Sequence, residues 1–374
     1  MNAQRLGFGL MRLPLTDPED RTSIDIEQVK KMIDIYMERG YNYFDTAWMY
    51  HKHAGECVVK NAIKDRFPRD SYTVTTKLHY NYIKCQEDVE RIFNEQLEKT
   101  GMEYFDYYLL HEIAANNIET YEKYDCINWV RNLKKEGKIK HYGFSFHDKA
   151  EVLDRFLTKY PDFEYVQLQL NYLDWESLTI QSRECYEVAR KHGKPIIVME
   201  PVRGGALAKV PAAAEKLFKD YNPDASVASW ALRYIASLPG IVMILSGMSN
   251  IDQVLDNTQL MKDVKPLNEE EMEIIRKATD IIADSMSLQC TACEYCMDGC
   301  PQKIAIPKYF ALFNEAKAEN SKADPAELQA RYDELTKTYG KASDCIRCGK
   351  CEEICPQYMS TIDSLKLVAD YFEG

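Results

Sequence analysis

The chain has 374 residues, 45% of them apolar, which suits one large and one small domain with buried cores. Its 59 acidic and 47 basic residues give a net charge of −12, which argues against partners such as nucleic acid or anionic membrane surfaces. The N-terminus lacks the apolar core of a signal peptide, and no stretch approaches the ~20 apolar residues of a membrane span, so the sequence predicts a cytoplasmic protein.

Short runs rich in β-branched and aromatic residues predict strands over 6–11, 43–46, 73–78, 106–111, 141–146, 165–171, 195–200 and 242–247. Stretches with helical periodicity lie between them, and the clearest covers residues 26–39. Alternating strands and helices predict a parallel sheet of the α/β class. Eight such units fit a (β/α)8 barrel, the TIM-barrel architecture, better than an open doubly wound sheet.

Polar side chains occupy the C-terminal ends of consecutive predicted strands, where barrels of this kind carry their function. Asp45 ends the second strand and is followed by Tyr50, Lys77 ends the third, and His111 ends the fourth. This set suits proton transfer to a carbonyl oxygen. A lysine cation is expected to lower the tyrosine pKa from about 10, an aspartate holds the lysine, and a histidine binds the carbonyl. Reduction also needs a hydride, which a nicotinamide supplies.

The sequence resembles the aldo-keto reductase family over roughly residues 3–280. The matching motifs are Gly7-Phe-Gly-Leu-Met-Arg-Leu-Pro14, Phe44-Asp-Thr-Ala47 with Tyr50, Thr76-Lys77 and Leu110-His111. The resemblance implies hydride transfer between NAD(P)H and a small aldehyde or ketone, or the corresponding alcohol. It implies that Tyr50 is the general acid and that Lys77 tunes it. Asp45 then supports Lys77, and His111 orients the carbonyl.

The resemblance also implies a cofactor site with departures from the family pattern. Phe146 replaces the family's Asn beside Ser145, and Asn250 replaces an Arg that often binds the 2′-phosphate. The residues implied to bind the carboxamide, pyrophosphate and adenine are Ser145, Gln167, Asn171, Pro201, Gly204, Gly205, Ser246, Gly247, Ser249, Gln253 and Asn257. Strand alternation places Gln167, Gln169 and Asn171 on one face. We expect NADP(H), with NAD(H) or a flavin as alternatives and Lys262 or Arg203 as substitutes for the missing Arg. The loops 112–121 and 51–53 are expected to select the substrate.

Eight of the twelve cysteines form two copies of one spacing, Cys290-x2-Cys293-x2-Cys296-x3-Cys300-Pro301 and Cys345-x2-Cys348-x2-Cys351-x3-Cys355-Pro356. This spacing holds [4Fe–4S] clusters in bacterial ferredoxins, where the fourth cysteine of each run ligates the other cluster. We therefore expect one cluster on Cys290, Cys293, Cys296 and Cys355, and another on Cys345, Cys348, Cys351 and Cys300. Zinc and disulfides are the weaker alternatives.

The predicted domain boundary follows a closing helix over residues 267–282. We expect the barrel to occupy residues 1–284, and a mostly α-helical, two-cluster ferredoxin-type domain to occupy residues 285–374. The insert between the cysteine runs, residues 301–344, predicts a helix over 325–339. Asp324 is its expected N-cap, Pro325 its first residue and Gly340 its stop.

Three hypotheses follow, because a nicotinamide transfers two electrons whereas a [4Fe–4S] cluster ordinarily transfers one. In the first, the barrel reduces a carbonyl compound and the clusters are structural or regulatory. In the second, a flavin links hydride transfer to the clusters and to a redox partner protein. In the third, the chain is an electron carrier with a non-catalytic barrel. The complete set of Asp45, Tyr50, Lys77 and His111 disfavours the third hypothesis.

Overall fold

The structure, a computed structural model, describes residues 5–318 and 323–374. The chain divides into two units. The barrel unit contains the chain up to Ser177, Gln181–Val202 and Ser229–Leu267. The C-terminal unit contains Leu178–Ile180, Arg203–Ala228 and Asn268–Gly374. Part of the predicted insert, residues 319–322, and the N-terminal residues 1–4 lie outside the described residues. The expected boundary at residue 284 stays a prediction.

Eight parallel strands close into a barrel in chain order, with β1 pairing with both β2 and β8. This confirms the predicted fold class. The strands are β1 (Leu6–Gly9), β2 (Tyr43–Asp45), β3 (Thr73–His79), β4 (Phe105–Ile113), β5 (Ile139–Phe146), β6 (Val166–Gln169), β7 (Ile196–Met199) and β8 (Ile241–Ser246). Each strand overlaps its predicted run, and no strand end differs from the predicted end by more than two residues.

The helices include those predicted from periodicity. They are α1 (Ile26–Glu38), α2 (Gly55–Val58), α3 (Gln86–Thr100), α4 (Ile118–Lys123), α5 (Cys126–Lys135), α6 (Ala150–Lys159), α7 (Ser182–Lys191), α8 (Ala212–Tyr221), α9 (Val227–Ala236), α10 (Ile251–Lys262), α11 (Glu269–Ser285), α12 (Tyr295–Asp298), α13 (Ile306–Lys317), α14 (Pro325–Thr336), α15 (Lys350–Glu353) and α16 (Thr361–Phe372). The predicted closing helix begins later than expected, at Glu269, because the Asn268 side chain accepts a hydrogen bond from the Glu271 amide and caps it.

The barrel interior is filled by large side chains below the C-terminal ends of the strands. Tyr43, Leu109 and Tyr165 belong to one buried apolar cluster. Gly143 makes room for it, since a Cβ at this position would lie 2.6 Å from the ring of Tyr165. Because side chains alternate along a strand, the residue two positions beyond each of these faces the same interior. This alternation places Asp45, His111, Ser145 and Gln167 in a polar layer above the apolar one.

The C-terminal unit has its own apolar core, formed by α13, α14 and α16. Tyr332 stacks on Phe372 with ring centroids 4.7 Å apart. Asp324 caps α14 as predicted, accepting a hydrogen bond from the Ala326 amide. The expected role of Gly340 is wrong, because α14 ends at Thr336 and Gly340 instead forms an isolated bridge with Ile304.

Candidate active site

Lys77 and Asp45 form a buried ion pair at the C-terminal ends of β3 and β2. Lys77 Nζ donates to Asp45 Oδ1 at 2.6 Å and to the Thr46 carbonyl at 2.7 Å. Burial alone lowers the pKa of Lys77, but the charges of Asp45 and Tyr50 and the hydrogen bonds to them together outweigh burial, so the net pKa is raised. Lys77 is therefore a cation held in a fixed position.

Tyr50 lies beside this pair, with Lys77 Nζ 5.1 Å from the centre of its ring. Burial raises the pKa of Tyr50 above its usual value, and Lys77 opposes this rise without reversing it. Lys77 therefore lowers the pKa of Tyr50 in the expected direction, but the net pKa stays above its usual value of about 10. The reason is that desolvation of the phenolate outweighs its attraction to a lysine that Asp45 already neutralises.

His111 completes the group, with its ring centroid 6.3 Å from that of Tyr50. Burial, together with the nearby His79 and Lys77, holds the pKa of His111 well below its usual range. Among the described residues, none lies within hydrogen-bond distance of its buried Nδ1 atom. A neutral imidazole can both donate and accept hydrogen bonds, which suits the binding of a carbonyl oxygen.

His79 and Glu112 adjoin this group, and the sequence analysis assigned them no role of their own. His79 Nε2 lies 2.8 Å from Glu112 Oε2, and its ring centroid is 5.0 Å from that of His111. The available signal was their position, two residues after Lys77 and one after His111. A histidine of loop 51–53 has a structural role instead: both ring nitrogens of His51 lie within 3.2 Å of backbone carbonyls.

The residues implied to bind the nicotinamide carboxamide lie in the polar layer. Ser145 and Gln167 are paired in the β5–β6 register, and both are buried. Ser145 Oγ accepts a hydrogen bond from the Glu112 amide at 2.7 Å, and Gln167 Nε2 donates to Asp45 Oδ2 at 3.3 Å. Gln167 thus connects the implied cofactor site with the Asp45–Lys77 pair.

Asn171 lies beyond the end of β6, and its hydrogen-bond partners differ from those of Gln167. Its Nδ2 atom donates to Asp174 Oδ2 at 2.8 Å and to the Glu200 carbonyl at 3.2 Å. Gln169 Nε2 donates to the same Asp174 oxygen at 2.8 Å. Gln169 and Asn171 therefore share Asp174 as a hydrogen-bond partner, whereas Gln167 bonds to Asp45. Because β6 ends at Gln169, the alternation of the strand does not extend to Asn171.

The loop after β8 leads into helix α10, whose first turn is capped by Asn250. Four implied cofactor residues bond within this loop and helix: Gln253 Oε1 accepts from the Ser249 amide at 2.7 Å, and Asn257 Nδ2 donates to Ser246 Oγ at 3.0 Å. A capped helix N-terminus after a glycine-containing loop is a suitable site for phosphate groups.

Arg12 is a basic residue near this loop that does not belong to the expected cofactor residues. Its backbone carbonyl accepts a hydrogen bond from Ser249 Oγ at 2.6 Å. A Cβ on Gly247 would lie 3.4 Å from the Arg12 side chain. Arg12 also lies 3.7 Å from Glu200. No local motif could reveal it, because it reaches the loop from the segment after β1.

The implied pyrophosphate segment after β7 is divided between the units. Pro201 belongs to the barrel unit, whereas Gly204 and Gly205, with φ values of 63° and 99°, belong to the C-terminal unit. Arg203 donates to Gln289 Oε1 at 2.8 Å, next to the first cysteine run. This guanidinium, named above as a substitute phosphate ligand, is thus bonded within the C-terminal unit.

The cysteines of the C-terminal unit group across the two runs. Cys300 lines a small cavity together with Cys345, Cys348 and Cys351. Burial, with the surrounding thiols of Cys293, Cys290, Cys355 and Cys351, raises the pKa of Cys296. Cysteines of the two runs therefore lie near one another, and the exchange of the fourth cysteine between runs stays a prediction.

Within residues 5–318 and 323–374, no three His, Cys, Asp or Glu side chains converge on a position that one metal ion could occupy. A [4Fe–4S] cluster needs no such convergence, because each of its four thiolates binds a different iron. In the same residues, no helix combines the length and apolar character required to cross a membrane.

Comparison with known sequences agrees with this geometry. The model of the aldo/keto reductase family matches residues 5–280, and that of the 4Fe-4S dicluster domain matches residues 289–359. The chain therefore belongs to the aldo/keto reductase family and carries a 4Fe-4S domain at its C-terminal end. It is 24% identical over 311 residues to the uncharacterized oxidoreductase YqkF of Bacillus subtilis, covering 75% of this chain and 94% of that protein.

Solved structures show the same fold. The holo form of aldo-keto reductase AKR11C1 from Bacillus halodurans superimposes with a TM-score of 0.57 at 25% identity, covering 74% of this chain and 92% of that one. An aldo-keto reductase from Klebsiella pneumoniae, solved in complex with NADPH, has a TM-score of 0.56 at 20% identity, covering 73% of this chain and 90% of that one.

Proposed function

We propose that the protein reduces a small aldehyde or ketone with NADPH, or oxidises the corresponding alcohol with NADP⁺. The observation that carries this proposal is the convergence of Tyr50, Lys77, Asp45 and His111 at one end of the barrel. The Lys77–Asp45 ion pair, 2.6 Å long, is buried, and removal of its charges from water costs desolvation free energy. A role of the Lys77 charge in catalysis explains why the fold retains this pair.

The residues divide the chemistry between them. His111 binds the carbonyl oxygen and orients it toward the Tyr50 hydroxyl. Tyr50 donates its proton to this oxygen, and the Lys77 cation stabilises the phenolate that forms. The raised pKa of Tyr50 keeps its hydroxyl protonated before the reaction, so Tyr50 serves as the acid in reduction. A bound nicotinamide would supply the hydride to the carbonyl carbon.

The residues present fit a nicotinamide dinucleotide. Ser145 and Gln167 offer polar atoms for the carboxamide, and the N-terminus of α10 offers amides for phosphate. Arg12 supplies the positive charge that Asn250 lacks, which supports NADP(H) over NAD(H). The NADPH bound by the Klebsiella pneumoniae relative is in keeping with this choice.

The C-terminal unit is proposed to hold two [4Fe–4S] clusters in the exchanged arrangement. The cavity that Cys300 shares with Cys345, Cys348 and Cys351 supports it. In the proposed reaction a nicotinamide supplies the hydride and Tyr50 supplies the proton, so no step requires a cluster. We therefore assign the clusters a structural or regulatory role. A redox partner protein and a cytoplasmic location stay predictions.

Replacement of Tyr50 by Phe tests the function. The variant keeps the ring but lacks the proton, so kcat for NADPH-linked aldehyde reduction should fall by ~100-fold or more. Initial rates would be measured anaerobically on the full chain. Tyr124→Phe is the control, since it removes only a hydrogen bond of 2.7 Å to the Lys84 carbonyl. Unchanged turnover in the Tyr50 variant would refute the assigned acid.

A further inference from the structure

Glu112 follows His111 in a strained part of β4. Its φ of 62° lies in the left-handed region that residues with a side chain rarely adopt. The β4–β5 register shifts at this place: Leu110 pairs with Phe144 and Ile113 with Phe146, so β4 contains one additional residue. Such an insertion redirects a side chain and is frequent beside active sites.

Three side chains from different segments fix Glu112. Ser145 Oγ accepts from its amide at 2.7 Å, Asn117 Nδ2 donates to its carbonyl at 2.6 Å, and His79 Nε2 lies 2.8 Å from Oε2. Strained backbone persists only where the surroundings hold it in place. The position of this carboxylate is therefore built into the fold.

His79 sets the charge of the pair. Its Nδ1 atom accepts a hydrogen bond from the Asn81 amide at 3.2 Å, so the ring proton lies on Nε2 and is donated to Glu112. A neutral imidazole leaves the negative charge of the carboxylate uncompensated. A carboxylate is only an acceptor, so any further partner must be a donor.

The carboxylate lies on the same side of β4 as the His111 ring. His79 contacts both, with its ring centroid 5.0 Å from that of His111 and its Nε2 bonded to Glu112. Glu112 keeps 8% of its side chain open, against 1% for His79. Glu112 is therefore less enclosed than His79 and lies next to the histidine that would bind the carbonyl oxygen.

We infer that Glu112 is a specificity-determining residue that accepts a hydrogen bond from a substrate hydroxyl beside the carbonyl. The substrate class is then a short 2-hydroxyaldehyde or 2-hydroxyketone. An apolar analogue leaves the carboxylate without its partner, and an anionic analogue is repelled. This inference rests on the proposed function and deepens it.

Steady-state kinetics on the full chain with NADPH test the inference. The substrates are lactaldehyde and propanal, which differ by one hydroxyl. A hydrogen bond to a charged acceptor predicts a kcat/KM ratio in favour of lactaldehyde of ~10-fold or more. Glu112→Gln should reduce this ratio by ~10-fold, and Glu112→Asp should lower it less because the charge is retained. Glu98→Gln, on the exposed surface of α3, should leave it unchanged.

Direct binding separates this inference from the proposed function. The affinities of 1,2-propanediol and 1-propanol for the NADP⁺ complex would be compared by calorimetry in wild type, Glu112→Gln and Tyr50→Phe. The diol should bind ~10-fold more tightly than the alcohol in wild type and Tyr50→Phe, but not in Glu112→Gln.

Diol preference without turnover in wild type would support the inference and remove the proposed function. Turnover with equal kcat/KM for both aldehydes in wild type would overturn the inference alone. A preference for lactaldehyde or for the diol that survives in Glu112→Gln would also overturn the inference. The wild-type comparison needs no variant, so the test holds even if Glu112→Gln fails to fold.

Discussion

Lys77 shows at the scale of one residue how burial and charge determine chemistry. Its side chain is fully enclosed, and removal of a lysine from water favours the neutral amine. The Asp45 carboxylate at 2.6 Å reverses this preference together with Tyr50. The Lys77 cation lowers the pKa of Tyr50, but burial of the phenol raises this pKa by more. The sequence predicts the pairing of Lys77 with Asp45, whereas the balance between charge and burial depends on the tertiary structure.

Glu56 is a second buried ionisable residue, behind the candidate site. Its Oε1 atom accepts hydrogen bonds from Thr76 Oγ1 at 2.7 Å and from Gln96 Nε2 at 2.9 Å, while no described residue bonds its Oε2 atom. Burial raises the pKa of Glu56 to about 7. The folded chain thus holds this proton at pH values where the unfolded chain has released it.

The sign of the pH effect follows from linkage. Between the unfolded pKa of 4.5 and the folded pKa of about 7, the native state binds more protons, so the free energy of unfolding falls as pH rises. The full loss is on the order of 3 kcal/mol. Glu56→Gln should therefore raise Tm relative to wild type at pH 8 but not at pH 5. Thermal unfolding of the full chain checks this, with the exposed Glu98→Gln as control. Equal Tm differences at both pH values would contradict it.

At the scale of elements, the register shift in β4 determines which side chains lie at the candidate site, whereas the exact strand boundaries do not. Regular alternation would point His111 and Glu112 to opposite sides of the sheet. The additional residue instead lets both contact His79. A one-residue insertion leaves no mark in hydrophobic periodicity, so the sequence could predict β4 and His111 but not the position of Glu112.

The bridge between Gly340 and Ile304 gives a prediction about the C-terminal unit. A Cβ on Gly340 would lie 2.2 Å from the Gln302 carbonyl oxygen, so Gly340→Ala must displace backbone at the wall of the Cys300 cavity. Such overpacking costs about 1–3 kcal/mol. We expect a lower Tm and faster loss of iron to a chelator.

Gly299→Ala is the matched control for this change. Gly299 adjoins Cys300, has an ordinary φ of −86°, and a Cβ there would meet nothing closer than 4.0 Å. Its iron retention should equal that of wild type. If Gly340→Ala behaves in the same way as this control, the bridge does not support the cluster cavity.

At the scale of the whole molecule, the proposed exchange of ligands would join the two cysteine runs. Each cluster would then bind residues more than forty positions apart, so that cluster assembly and folding of the C-terminal unit are coupled. Loss of one ligand should remove one cluster, lowering the iron content from about 8 to about 4 atoms per chain.

Double replacements identify which cysteines share a cluster. In the exchanged arrangement, Cys300→Ala with Cys348→Ala should still leave about 4 iron atoms, whereas Cys300→Ala with Cys293→Ala should leave almost none. Iron analysis of anaerobically purified chain measures both. The opposite pattern would show that each run binds its own cluster.

The sequence by itself determined the barrel, the helical insert, the cysteine runs and the positions of Asp45, Tyr50, Lys77 and His111. These features are local: periodicity defines strands and helices, and a parallel barrel brings all strand ends to one face. Only the tertiary structure decided the approach of Arg12 to Ser249, the His79–Glu112 pair and the burial of Glu56. Each depends on register and burial between segments far apart in the chain, and local periodicity specifies neither.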